Sequence, residues 1–113
     1  MSKETVDLSV QIVRFLLDHQ PPIVSCDFVD ADGRHHAFTG KLWMFFDGNL
    51  DAHSEYPQPG AVRCAVLNRW RDTHGRELVR INTADPDLIE SSDGVSEFVV
   101  LQTQVSAYPG QAG

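Results

Sequence analysis

Val62-Arg63-Cys64-Ala65-Val66-Leu67-Asn68-Arg69-Trp70-Arg71 decides the reading of this chain. Side chains along a strand alternate between two faces. Val62, Cys64, Val66 and Trp70 fall on one face, and Arg63, Arg69 and Arg71 on the other. Asp72-Thr73-His74-Gly75 follows, with Asp and Gly where a type I turn wants them. Arg76 to Asn82 then alternates again, with Val79 and Ile81 apolar. A symmetric closure of the turn pairs Arg71 with Arg76, Arg69 with Leu78, Leu67 with Arg80 and Val66 with Ile81. A slip of one residue would set arginines among Val66 and Trp70, and burying unpaired charge is costly, so the pattern selects the register. The expected product is a β-hairpin with Arg63, Arg69, Arg71, Arg76 and Arg80 on one face.

Outward from the hairpin, the same grammar repeats. Val6, Leu8, Val10 and Ile12 alternate with polar residues, and Val13, Phe15 and Leu16 shift the phase as a bulge would. The cluster Phe15-Leu16-Leu17 also suits a helix, and the alternation favours a strand. Pro21-Pro22 ends that element. Ile23–Val29 reads as a strand, Asp30-Ala31-Asp32-Gly33 as a second Asp-x-x-Gly turn, and His35 to Phe46 as a strand bent at Gly40. Residues 47–60 form a long polar connection. Thr83 to Gly94 is an acidic loop with room for one helical turn at Asp87–Glu90, and Phe98 to Val105 is the last strand. The expected fold is all-β: a small six-stranded antiparallel barrel or sandwich with at most one short helical turn. Residues 1–105 make a single β domain and 106–113 a flexible tail.

Composition narrows the function. The chain has 113 residues, a net charge of −7, and seven Arg against two Lys. An acidic balance opposes general binding to nucleic acid or anionic membrane. The balance is uneven, with five basic and two acidic residues across 63–80, so any anion recognition is local. Arginine favours planar recognition of carboxylate or phosphate. The competing reading is a solvated face neutralised by the protein's own Asp72, Glu77 and acidic 85–90 loop. No apolar run approaches the roughly 20 residues of a membrane span, and the N-terminus lacks a signal peptide's pattern, which points to the cytoplasm. Cys26 and Cys64 lie on the apolar phase of their strands and read as buried reduced thiols.

The Asp30-Ala31-Asp32-Gly33-Arg34 turn, the Tyr56-Pro57-Gln58-Pro59-Gly60 approach to the hairpin and the Arg80-Ile81-Asn82-Thr83 exit resemble a group of short bacterial proteins of unknown function, over about residues 20–105. The strand order is also loosely similar to the β-barrel domains of translation elongation factors. Neither resemblance carries a functional residue over to this chain.

Catalytic and metal grammars are missing. His19, His35, His36, His53 and His74 are scattered, and no Cys-x-x-Cys or His-x-x-x-His spacing exists. His36 is instead expected to lie across the first hairpin from Asp27. Asp30-Ala31-Asp32-Gly33 opens like a calcium loop, but the twelfth position is Lys41. No serine sits in a Gly-x-Ser-x-Gly elbow and no glycine-rich phosphate loop precedes a helix. No cofactor is implied, and the chain reads as a non-enzyme. Trp43, Trp70 and the phenylalanines read as core, although Trp43, Phe45 and Phe46 are close enough in sequence that at least one must point outward.

These features suit an interaction module that binds another protein through Arg63, Arg69, Arg71, Arg76, Arg80, Leu67 and Leu78, flanked by Tyr56 and the 47–60 loop. The alternative is an RNA- or ribosome-associated barrel using the same arginines on phosphates. A second alternative is a small ligand-binding or enzymatic barrel with a pocket near His53, Tyr56 and the acidic loop.

Overall fold

The computed structural model describes residues 4–18 and 20–107. Among these residues, seven strands form one antiparallel sheet: β1 (Thr5–Leu17), β2 (Ile23–Val29), β3 (His35–Lys41), β4 (Gln58–Arg71), β5 (Glu77–Asn82), β6 (Glu97–Leu101) and β7 (Val105–Ala107). The order across the sheet is β3-β2-β1-β4-β5-β6, with β7 also paired to β1. Two 3-10 turns, η1 (Leu42–Met44) and η2 (Gln102–Gln104), are the helical elements among the described residues. The all-β expectation therefore holds, in the form of a curled half-barrel.

Strand β1 organises the sheet. Its first part, residues 5–12, pairs with β4, and Val6, Asp7 and Leu8 pair with β7 on the other edge. Its second part pairs with β2, with register shifts between Ile12 and Arg14 and between Phe15 and Leu17. These bulges are the phase change visible in the sequence. Each adds local twist and bends the strand, which lets one long ribbon serve two neighbours along the same edge.

The curl brings the ends of the sheet together. The Ala31 amide donates to the Val99 carbonyl at 3.0 Å, and the Ser92 amide to the Ala37 carbonyl at 2.8 Å. Inside, Phe98 of β6 meets Phe28 of β2 edge-on at 5.1 Å and Phe38 of β3 at 6.0 Å. Such edge-to-face contacts stabilise by about 0.5–1.5 kcal/mol beyond burial alone. Leu8, Ile12, Val24, Cys26, Phe38, Val62, Cys64, Val79, Ile81 and Val100 are fully buried between the walls.

Several expectations are corrected. Residues 42–46 are not strand: after Lys41 the chain turns as η1, and the Phe45 and Phe46 amides both donate to the Leu42 carbonyl. The last strand is broken at Gln102 by η2, and the chain returns to β1 as β7. Residues 106 and 107 are thus paired strand rather than tail, while 108–113 lie outside the described residues. The acidic loop holds turns at 83–87 and no helical turn at 87–90. His36 lies opposite Phe28, not Asp27, and its Nε2 is 2.7 Å from Asp30 Oδ2. No helix among the described residues is long and apolar enough to cross a membrane.

Candidate functional site

The arginine hairpin forms with a register different from the symmetric one. Arg71 pairs with Glu77, Trp70 with Leu78, Arg69 with Val79, Asn68 with Arg80 and Val66 with Ile81. Leu67 is left over as a bulge between Val66 and Asn68. One extra residue inverts every side chain beyond it. Arg69 and Arg71 therefore share the face of Val79, while Arg63 and Arg80 lie on the opposite face. Trp70 moves with them: expected in the core, it sits half-buried on the outer face with the Arg80 guanidinium 5.9 Å from its ring centre.

Most of these guanidinium groups meet the molecule's own acids. Arg63 holds Asp87 with two bonds, Nη2 to Oδ1 at 2.8 Å and Nε to Oδ2 at 3.1 Å. Arg69 pairs with Glu4 and also bonds Gln102. Arg71 meets Glu77 at 2.9 Å with both side chains well exposed. Arg76 Nε lies 2.8 Å from Asp72 Oδ2. Surface pairs of this kind contribute about 0–1 kcal/mol each. Leu67 is exposed, but Leu78 is buried against Trp70 and Leu101, so it offers no contact surface. The single arginine face is not present.

A different site emerges where η1 meets β1, β4 and the acidic loop. A cleft of about 640 Å³ is lined by Asp7, Trp43, Met44, Phe45, Phe46, Asp47, Gly48, Ala61, Arg63 and Asp87. Its wall is fixed from below. The Phe45 carbonyl accepts the Ala61 amide at 2.9 Å, and η1 can approach β4 this closely because residue 60 is glycine: a Cβ there would lie 2.9 Å from the Phe45 oxygen. Phe45 is buried, whereas Trp43, two residues earlier on the same tight turn, is 67% exposed.

The loop 83–96 contributes Asp87 to the lining. Buried Thr83 donates its hydroxyl to the Ile89 carbonyl at 2.7 Å, and its amide to the Ser96 carbonyl at 2.8 Å. This folded loop delivers Asp87 to Arg63, which stands opposite Asp7 in the β1–β4 ladder. Burial pushes the Asp7 carboxyl above its ordinary range, and the Arg63 charge offsets part of that. The residue after Asp87, Leu88, is 83% exposed and adopts a left-handed backbone with φ of 58°. That conformation costs a non-glycine residue on the order of 1–2 kcal/mol.

The pocket expected near His53, Tyr56 and the acidic loop takes another form. Tyr56 lines a notch of about 600 Å³ with Ser9, Val10, Gln11, Asp27, Val29 and Gln104, and neither His53 nor the acidic loop contributes. The notch lies where β2 and β7 leave a gap along the same edge of β1. Gln104 reaches across it, donating to the Val29 carbonyl at 2.7 Å and accepting the Leu101 amide. The Tyr56 hydroxyl donates to the Asp51 carbonyl at 2.7 Å.

Cys26 and Cys64 are free and buried, and burial pushes each thiol up to about 12. Among the described residues, no three His, Cys, Asp or Glu side chains gather to hold a metal ion. The chain matches no family model, no curated protein and no solved structure significantly.

Proposed function

We propose that this chain is a non-enzymatic interaction module that binds another protein, and that its contact surface centres on the Trp43 cleft. One observation carries the reading. The most exposed aromatic side chain among the described residues, Trp43, lines the cleft, and the most exposed large apolar side chain, Leu88, is the chain neighbour of Asp87, which also lines it. Interface anchors are typically aromatic residues set beside arginine. The strained backbone at Leu88 supports the same reading, since strain concentrates where a side chain must be presented.

The hairpin arginines take a smaller part. Arg63 belongs to the cleft, and Arg71, 67% exposed on its side chain, stays accessible. RNA binding gains no support at the cleft, because three carboxylates there would repel phosphate.

Affinity capture from the source cell with the tagged chain tests the reading. Trp43→Ala and Leu88→Ala should lose a protein that wild type retains, and the double change Arg71→Glu with Arg76→Glu should keep it. Retention by Trp43→Ala and loss by the double arginine variant would return the site to the hairpin.

A further inference from the structure

The cleft is a groove with an exposed indole in its wall, and its charge identifies what fits. Its lining sets three carboxylates, Asp7, Asp47 and Asp87, against the single guanidinium of Arg63, a net charge of about −2 with all four ionised. Arg63 is in a two-bond pair with Asp87 and also stands opposite Asp7, so one guanidinium faces two carboxylates, and Asp47 adds a third on an exposed loop position. Met44, Phe45 and Phe46 supply apolar wall beside them.

An indole face attracts cations through its quadrupole, and the effect grows where solvent is excluded. A lysine or arginine adds a long aliphatic stem that packs on apolar wall while its head reaches a carboxylate. A phosphate would instead meet net negative charge, and a neutral apolar segment would leave Asp7 and Asp47 facing hydrocarbon.

From this charge complementarity we propose that the cleft receives a basic segment of a partner protein, with a cationic side chain laid against Trp43 and its charge met by Asp47 and Asp7. The proposal rests on the reading of the cleft as a protein-binding surface and names its occupant. The chain's net charge of −7 adds long-range attraction for such a segment. Desolvation already strains the Asp7 carboxylate, and an arriving cation would relieve it.

The test titrates the full chain with three probes: the capped peptide Gly-Arg-Ala-Arg-Gly, its citrulline counterpart, which keeps the shape without the charge, and single-stranded poly-uridylate. The readout is the indole N–H resonance of Trp43, assigned with Trp43→Phe, with the Trp70 resonance as internal control. The arginine peptide should move the Trp43 signal and leave Trp70 in place. Citrulline should bind more weakly by roughly fivefold or more. Asp47→Asn should weaken the arginine peptide roughly twofold to fivefold, on a chain whose other amide resonances stay unchanged.

Equal binding of the arginine and citrulline peptides would overturn the cationic occupant. So would poly-uridylate moving the indole in place of the arginine peptide. If neither peptide moves Trp43 while protein capture still depends on it, the occupant is wrong and the interaction surface stands. If capture is indifferent to Trp43, the interaction reading itself falls, whichever peptide binds.

Discussion

Arg76 Nη1 donates to the backbone carbonyl of Ala31 at 2.9 Å, across 45 residues of sequence. The two Asp-x-x-Gly turns are thereby tied to each other at one end of the barrel. Each turn has the same internal wiring. Asp30 Oδ1 accepts the amides of Asp32 and Arg34, Asp72 Oδ1 those of His74 and Arg76, and Gly33 and Gly75 sit at φ of 83° and 81°. Among the described residues, Arg76 is the side chain that reaches from one turn to the other.

Arg76→Lys keeps the charge but loses the fork that bonds Asp72 and Ala31 together. The amides of Gly33 and Gly75 should then exchange with solvent roughly five- to tenfold faster, the equivalent of about one ordinary hydrogen bond. Hydrogen exchange by NMR reads this residue by residue. Unchanged protection at Gly33 would show that the two turns are independent.

Asp30 gives the fold an acid-sensitive element. Burial alone would raise its carboxyl, but the hydrogen bond from His36 and those from the Arg34 and Asp32 amides outweigh it and hold the group below 3.8. A depressed carboxylate adds stability that is fully present above its unfolded value and is lost as pH falls through the folded one. Asp30→Ala should cost about 1–2 kcal/mol at pH 7. The gap to wild type should narrow as pH drops below 3.8. Urea unfolding from pH 7 to pH 2.5 checks both the size and the direction.

The two thiols should be silent in the native state. With each pushed up to about 12, roughly one in ten thousand is thiolate at pH 8, and both are buried. A chromogenic disulfide reagent should label neither cysteine in buffer and both in denaturant. Labelling at the rate of a small exposed thiol would contradict the burial of Cys26 and Cys64 in the core.

Gly60→Ala should destabilise the protein by about 1–3 kcal/mol, because the new methyl meets the Phe45 carbonyl, a backbone atom, at 2.9 Å. Displacement of η1 should also shift the Trp43 indole resonance. Thermal melts and one NMR spectrum are sufficient. A neutral substitution would mean that η1 is not seated on β4 as described.

Leu88→Asn should raise stability by up to about 1 kcal/mol, since asparagine tolerates the left-handed backbone and Leu88 buries little. The same change should reduce capture of the partner protein. A gain in stability joined to a loss of binding is the signature of a side chain held for use.

Much of the fold was legible because turns and alternation are local. Asp30–Gly33 and Asp72–Gly75 announced both hairpins, and Val13 and Phe15 announced the bulges of β1. The register past Val66 was not legible. A bulge at Leu67 depends on how the ladder twists as the sheet curls, and no residue type there marks it. Past that point, alternation alone turns Trp70 inward and gathers five arginines on one face that the structure divides. The cleft was hidden for another reason. Its lining comes from β1, η1, β4 and the acidic loop, four places that only the fold unites. One signal did exist in Trp43-Met44-Phe45-Phe46, since contiguous large apolar residues cannot all face inward on a strand. The 3-10 turn resolves that conflict by burying Phe45 and leaving Trp43 to solvent.

Strand β1 has partners in β2, β4 and β7, and the last of these ends at Ala107. On a ribosome, the first ribbon of this sheet must wait until the last has been made before both of its flanks are occupied. Folding that depends on such distant pairings is slow compared with local hairpin closure. The two Asp-x-x-Gly hairpins are therefore the parts able to form early, and β1 is the seam that closes late.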